Sequence, residues 1–344
     1  MEVSNHMKKA IVIDKDYGSV TASDLFALQR RFEESGIELE LSHFHSEDEI
    51  IEGCQEAEAI LGTGNPPMTE KVLSALPNLK IIQRFGIGVN SINLPAATKS
   101  NTVALYMPGF CVEELAAHAT SLILGLIRNT AYYDRQIRNG EWPKAKYYVP
   151  KSIPEITLGL YGFGGSAKPL YNIFRKGFHS RVITCDPFVP ESVREQFDVE
   201  FVDFDTLLKE SDVISIHAPL NNETRHIFNR EAFKMMKNDA MIINIARGPL
   251  IDEEDLIIAL QEGEIRFAGL DVFESEPLNG ESPLRKMDNV ILTCHSAFYG
   301  EGSKKTQLNW AFDLVNQALN EKKIQKKFIA NKDICHANTE FIFE

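Results

Sequence analysis

Strand-length apolar runs alternate with helix-length amphipathic segments along this chain, and the alternation comes in two series. A strand followed by a helix before the next strand returns parallel rather than as a hairpin, and a parallel sheet needs helices on its faces. That feature confines the chain to an α/β architecture. The first series reads AIVID (10–14), AEAILGTG (57–64), LKIIQRFG (79–86) and NTVALYMPG (101–109), with helical segments such as SDLFALQRRFEESG between them. The second reads EITLGLYGFG (155–164), RVITCDP (181–187), DVISIHAPL (212–220), AMIINIARG (240–248), IRFAGLDVF (265–273) and NVILTCH (289–295). With 344 residues, 44% of them hydrophobic, the chain can bury two cores, one for each series.

A helical stretch from about Glu113 to Asn139, closed by Gly140, separates the series and places a domain boundary near residue 106. After His295 a further helix is expected over about Gly302 to Asn320, and the closing NKDICHANTEFIFE has no clear period. The balance of 36 basic against 49 acidic residues, a formal charge of −13, opposes the phosphate neutralisation that sequence-independent nucleic-acid binding needs. Five cysteines without a CxxC pair suit a reducing cytoplasm better than a disulfide framework or zinc knuckle. The N-terminal MEVSNHMKK lacks the apolar core of a secretory signal, and Met7 reads as a natural start. The longest apolar stretch, LAAHATSLILGLI (115–127), contains a histidine and is too short to span a bilayer, so it reads as a buried helix.

The second series opens on a phosphate-binding pattern, Gly162-Phe163-Gly164-Gly165-Ser166-Ala167, behind the apolar TLGLY. Gly162 permits a tight turn, Gly164 allows a pyrophosphate to approach the backbone, and Ala167 lets the following helix pack closely on its strand. Alone such a pattern also fits ordinary turn glycines. Context strengthens it: Asp186 ends the next strand, where a carboxylate accepts hydrogen bonds from an adenosine ribose and repels a 2′-phosphate. NAD is therefore expected over NADP. Pro169 falls within the first helical turn, where a missing N–H costs least.

Strand ends in a doubly wound sheet face the cofactor crevice. AMIINIARG ends there with Ala246 and Arg247, GLDVF with Asp271 and ILTCH with His295. A planar guanidinium suits bidentate grip on a substrate carboxylate, and a histidine on the same rim suits proton transfer. An adjacent anion stabilises an imidazolium, and Glu276 in GLDVFESEP could supply it.

NIARGPLIDEEDLIIALQEGEIRFAGLDVFESEPL followed by ILTCHSAFYGEGS resembles the D-isomer-specific 2-hydroxyacid dehydrogenases. The upstream LKIIQRFGIGVNSINLPAA, GFCVEELAAHATSLILGLIRN and SIHAPLNNETRHIFNREAFKMMKNDAMIINIARG extend the resemblance over about residues 55 to 325. HSAFYGEGS is most similar to the branch near the D-lactate dehydrogenases and the C-terminal binding protein corepressors. The resemblance implies two Rossmann-like or flavodoxin-like domains: a discontinuous substrate domain of residues 1–105 plus 300–330, an NAD-binding domain of 106–299, and a tail of 331–344 outside both. It implies that Arg247 anchors and polarises the substrate, that His295 is the acid/base and Glu276 its partner, and that Asp271 faces the nicotinamide carboxamide. Glu274 is then solvated. Ile87 and Gly88 would offer backbone donors to the substrate carboxylate, Phe163 and Ala246 would join the cofactor contacts, and the helix after Glu113 would form the arm of a homodimer.

Five positions depart from the family pattern and bear on substrate and cofactor affinity rather than reaction class: Ala167 for a third glycine, Gly165 for a basic residue, Cys294 for a proline, and Asn90 and Asn93 for aspartates. His43 and His45 lack a third ligand, so no metal is expected. Cys294 reads as a packed thiol, and His217 either lines the cofactor ribose or packs under it. The expected activity is NAD-dependent interconversion of a D-2-hydroxy acid and its 2-keto acid. The alternative is a corepressor-like dimer that senses NAD(H). A formate dehydrogenase would carry glutamine at the Glu276 position.

Overall fold

The structure, a computed structural model, describes residues 7–16, 20–143 and 148–344. It divides into two compact units, one taking the chain up to Phe110 and again over Tyr299–Glu344, the other taking Cys111–Phe298. Each is an α/β unit on a parallel sheet.

Among the described residues the main sheet of the first unit has five strands, β1 (Lys8–Val12), β2 (Ile37–Leu41), β3 (Ala59–Gly62), β4 (Ile81–Arg84) and β5 (Val103–Leu105), in the order β2-β1-β3-β4-β5. This is the flavodoxin-like order. The edge strand β2, IELEL, was not among the expected strands. It buries Ile37 and Leu39 but exposes Glu38, so it lacks the continuous apolar run of the central strands. The helix Ala22–Glu34 opens with a capping box between Thr21 and Asp24 and buries Leu25, Leu28 and Phe32. The late helix Glu301–Asn316 lies against it: the Phe32 and Phe312 rings meet edge-on at 5.1 Å, Arg31 covers the Phe312 ring at 4.3 Å, and Lys304 pairs with Asp24 at 3.0 Å. It stops near Asn316 and continues as a π-helical turn, Gln317–Glu321.

The segment from residue 331 onward, set outside both domains from sequence, packs into this first unit. Asn331 accepts from the Ala104 N–H at 2.9 Å and donates to the Thr102 carbonyl at 2.9 Å, so a side-chain amide stands where a strand would pair with β5. Ile334 and Phe341 are buried, and β13 (Lys323–Ile324) pairs in parallel with β14 (Ile342–Phe343). Side-chain-to-backbone pairing has no sequence period, so no pattern announced it.

The second unit has seven strands: β6 (Thr157–Tyr161), β7 (Arg181–Cys185), β8 (Glu200–Phe201), β9 (Val213–Ile216), β10 (Met241–Asn244), β11 (Phe267–Leu270) and β12 (Val290–Leu292). Their order is β12-β11-β10-β9-β6-β7-β8, the doubly wound Rossmann arrangement with its switch point between β6 and β9. The helix Val112–Ile127 buries Ala116, Ala119, Leu122, Ile123, Leu126 and Ile127 in the core beneath this sheet. The sequence suggested one helix from Glu113 to Asn139. Asn129 instead takes a left-handed conformation, φ 51°, and a second helix, Thr130–Arg138, begins beyond it. Asparagine tolerates that conformation better than most residues, which makes it a natural break. Among the described residues no helix is long and apolar enough to cross a membrane.

Candidate active site

The site residues expected in the second unit lie at or beyond the C-terminal ends of its strands. Gly162 follows β6 with φ 94°, and a Cβ there would lie 2.8 Å from the Ala218 nitrogen and 3.0 Å from the His217 carbonyl carbon. Only glycine fits such a turn. The space beside Gly164 is open, with nothing within 4 Å of a Cβ. Ala167 begins a short helix, Ala167–Tyr171, continued by a π-helical turn, Asn172–Gly177. Pro169 sits third in that helix, as its missing N–H requires.

The Phe163 side chain is buried among Tyr171, Phe197 and Phe201, with ring centroids 5.1–5.9 Å apart, so only its backbone faces the loop. Its N–H donates to Asp186 Oδ2 at 2.8 Å, and the Phe188 N–H donates to Asp186 Oδ1 at 3.0 Å. Asp186 thus stands at the tip of β7 against the glycine loop. His217 is held at both ring nitrogens by hydroxyls, Ser166 Oγ at 3.0 Å and Ser215 Oγ at 2.9 Å. Burial pushes it down to about 3, so the ring is neutral. The Ser166 contact ties it to the glycine loop.

Arg247 follows β10 in extended backbone. Asn244 fixes this corner by donating to the Arg247 carbonyl at 2.8 Å and accepting from the Ala246 N–H at 3.0 Å, while Arg247 Nη1 donates to the Ala246 carbonyl at 2.6 Å. Glu276 lies beyond β11 and meets His295 beyond β12: Oε2 to Nδ1 is 2.7 Å. A carboxylate can only accept, so Nδ1 carries the proton toward Glu276 and Nε2 is the ring nitrogen left for other partners. Burial pushes the Glu276 carboxyl up, but the His295 hydrogen bond and charge, the Phe273 N–H and the Arg247 charge outweigh it and hold the group below the usual carboxylate range.

His295 itself is strained, with φ 53°. Such a conformation costs on the order of 1–3 kcal/mol and needs surroundings that enforce it. Asp271 does so. Its carbonyl accepts from the His295 N–H at 2.7 Å, Oδ1 accepts from Thr293 Oγ at 2.6 Å and the Ser296 N–H at 2.9 Å, and Oδ2 accepts from the Ala297 N–H at 2.9 Å. Asp271 is fully buried, with His118 3.5 Å from Oδ1. The sequence set Asp271 toward the nicotinamide, whereas its carboxylate here commits both oxygens to residues 293–297. Glu274 is exposed, as expected, and its carboxylate also lies 2.5 Å from His226. Thr293, Ser215, Asn244, His118 and His226 were not singled out from sequence, because their contributions are contacts rather than motifs.

The model of the D-isomer specific 2-hydroxyacid dehydrogenase NAD binding domain matches residues 120–297, over half of the chain. The chain belongs to this family. Of its fellow 2-hydroxyacid dehydrogenases, the hydroxypyruvate reductase of Thermotoga maritima is 37% identical over 287 residues, covering 83% of this chain and 91% of that protein. The D-3-phosphoglycerate dehydrogenase of Archaeoglobus fulgidus is 36% identical over 292 residues, 83% of this chain, and the chain spans only about half of that longer protein, 54%. The crystal structure of D-lactate dehydrogenase from Aquifex aeolicus, complexed with NAD and lactic acid, matches with a TM-score of 0.80 at 25% identity over 96% of this chain and 98% of that one. The glycine loop, Asp186 and the His295 segment all fall in the family's NAD binding domain or at its edge.

In the first unit, Ile87 and Gly88 lie in the turn after β4. Gly86 has φ 150°, and Arg84 braces the turn by donating to the Gly88 carbonyl at 2.9 Å and the Phe85 carbonyl at 3.0 Å. His43 Nδ1 donates to Asp16 Oδ2 at 2.8 Å and its ring lies 4.5 Å from that of His45; among the described residues no group of three His, Cys, Asp or Glu is arranged to hold a metal.

Proposed function

We propose that the protein interconverts a D-2-hydroxy acid and its 2-keto acid, with Arg247 holding substrate and the His295–Glu276 pair moving the proton. The supporting observation is the 2.7 Å carboxylate–imidazole contact within reach of the Arg247 charge, on strand ends of an NAD binding domain. The loop Gly162–Ala167 fits a pyrophosphate, since Gly162 keeps a turn no Cβ could enter and the space beside Gly164 is open. Gly165 and Ser166 would complete that loop, and Asp186 would take the adenosine ribose. When bound, the cofactor would supply a hydride to the substrate carbon as NADH or accept one from it as NAD+.

In the reductive direction, His295 Nε2 gives its proton to the ketone oxygen while Nδ1 stays on Glu276, whose anion offsets the imidazolium charge. In the oxidative direction the neutral ring takes the proton back. The planar fork of Arg247 grips the substrate carboxylate and polarises the carbonyl from a corner made rigid by Asn244. The same proposal gives the Ile87 and Gly88 N–H groups to the substrate carboxylate and leaves Ala246 and His217 beside the cofactor. Asp271 is assigned to holding the His295 segment.

The reading extends to a homodimer in the cytoplasm. Exposed Ile137, Trp142 and Val149, beside the second helix of the proposed arm, support the dimer, and free cysteines support a reducing compartment. Light scattering on eluted protein tests the dimer. The activity is tested by following NADH oxidation with pyruvate, glyoxylate, hydroxypyruvate and branched or aromatic 2-keto acids. Turnover of at least one is expected, and failure of the whole panel overturns the reading.

A further inference from the structure

The turn after β11 carries two carboxylates two residues apart, and each faces its own histidine. Glu276 meets His295. Glu274 Oε1 lies 2.5 Å from His226 Nε2, and His226 Nδ1 lies 3.4 Å from Asp252 Oδ2. The Glu274 approach is bent away from the direction of an aligned hydrogen bond, so this second pair is a close polar contact. Glu253 completes the cluster by accepting from the Glu274 N–H at 3.3 Å. Its carboxyl is pushed up by burial and by the charge of Glu274.

His226 joins the two segments that bear the working groups. It adopts φ 51°, and its N–H donates to the Pro249 carbonyl at 2.8 Å, anchoring it to the turn that starts at Arg247. Phe228 and Asp252 extend this attachment, through Phe228 N–H to the Leu250 carbonyl at 3.2 Å and Asp252 N–H to the Phe228 carbonyl at 3.0 Å. The Arg247 turn in turn packs backbone-to-backbone on the Glu276 turn: a Cβ on Gly248 would fall 1.9 Å from the Phe273 carbonyl. Within the Glu276 turn, the Phe273 N–H donates to Glu276 Oε1 at 3.1 Å. A tether on Glu274 therefore sets the angle at which Glu276 reaches His295.

We infer that His226 is a positioning residue, a polar clasp that holds Glu274 and the turn behind it so that Glu276 stays aimed at His295 and in register with Arg247. The inference rests on the proposed function for the roles of Glu276 and His295. Its reach is short, since misplacing a catalytic group by about 1 Å can cost on the order of 10²-fold in rate.

The test compares wild-type protein with His226→Ala, His226→Gln, Glu276→Gln and the His226→Ala/Glu276→Gln double variant. The keto acid turned over best by wild type serves as substrate, and NADH affinity is read from its fluorescence. His226→Ala is expected to lower kcat about 10-fold, with KM and NADH affinity changed less than about 2-fold, and His226→Gln, which keeps an N–H donor, to recover most of the loss. In the Glu276→Gln background His226→Ala should have almost no further effect, because its influence passes through Glu276. Additive losses, or a loss shared equally by NADH binding, overturn the clasp. If wild type turns over no keto acid, the functional reading has failed. The clasp is then judged by NMR of the His295 ring: movement of its pH midpoint in His226→Ala toward that of Glu276→Gln supports it, and an unmoved midpoint overturns it.

Discussion

Glu276→Gln removes the charge of the proposed proton-transfer pair, and because Oε1 serves the Phe273 N–H at 3.1 Å while Oε2 faces His295, an amide that keeps its oxygen on Phe273 turns its NH2 toward Nδ1, so lost charge and lost acceptor both disfavour the protonated ring. The contact to His295 Nδ1 is 2.7 Å and the two side chains are 43% and 36% exposed. Charge centres about 4 Å apart attract by about 4 kcal/mol at an effective dielectric of about 20 and by about 1 kcal/mol in bulk water. Exposure places this pair near the lower figure, at about 1–1.5 kcal/mol. In the proposed reaction keto-acid reduction consumes the protonated ring, so its rate falls as pH rises. Without the anion the protonated form is less favoured, and the falling limb should move to lower pH. The rising limb of hydroxy-acid oxidation should move the same way. The assay is kcat/KM against pH in both directions, with exposed Glu281→Gln as the control, since Glu274 is tied to His226 and cannot serve. An unmoved limb in Glu276→Gln, or an equal shift in Glu281→Gln, would refute the pairing.

Arg247→Lys keeps the charge but loses the planar fork, so kcat/KM should fall on the order of 10²-fold, about 3 kcal/mol, while NADH affinity measured by fluorescence stays close to wild type; near-normal turnover would remove Arg247 from the site. Asp186→Asn keeps an acceptor for the Phe163 N–H but removes the charge that repels a 2′-phosphate, so the preference for NADH over NADPH should narrow in binding titrations. Wild-type protein that uses both cofactors equally would contradict this assignment. Asp271→Asn puts an amide N–H among donors from Thr293, Ser296 and Ala297 in a fully buried site, which should cost about 1–3 kcal/mol for each donor left without a partner and lower the thermal midpoint, together with kcat as the His295 backbone relaxes. The lowered Glu276 carboxyl adds a pH signature: its stabilisation is present above the usual carboxylate range and is lost as pH falls through its own lower value. Thermal midpoints should therefore fall less steeply on acidification in Glu276→Gln than in wild type.

The alternation of strand-length and helix-length runs by itself determined two parallel α/β layers, because chain connectivity leaves consecutive strands no other way to pair. Position at a strand end likewise brought Gly162, Asp186, Arg247 and His295 to one rim before any coordinate was needed. These are properties of local period and spacing, which a one-dimensional string carries in full. Tertiary structure decided what depends on partners distant in the chain. It turned Asp271 onto residues 293–297, paired Glu274 with His226, and used the Asn331 side chain to close the edge of β5. It also broke the long helix at Asn129 and set the half-buried β2 at a sheet edge. A carboxylate looks the same in sequence whether it meets water, a backbone N–H or a histidine. The three environments differ by several kcal/mol once desolvation is counted, so the fold rather than the motif assigns its role.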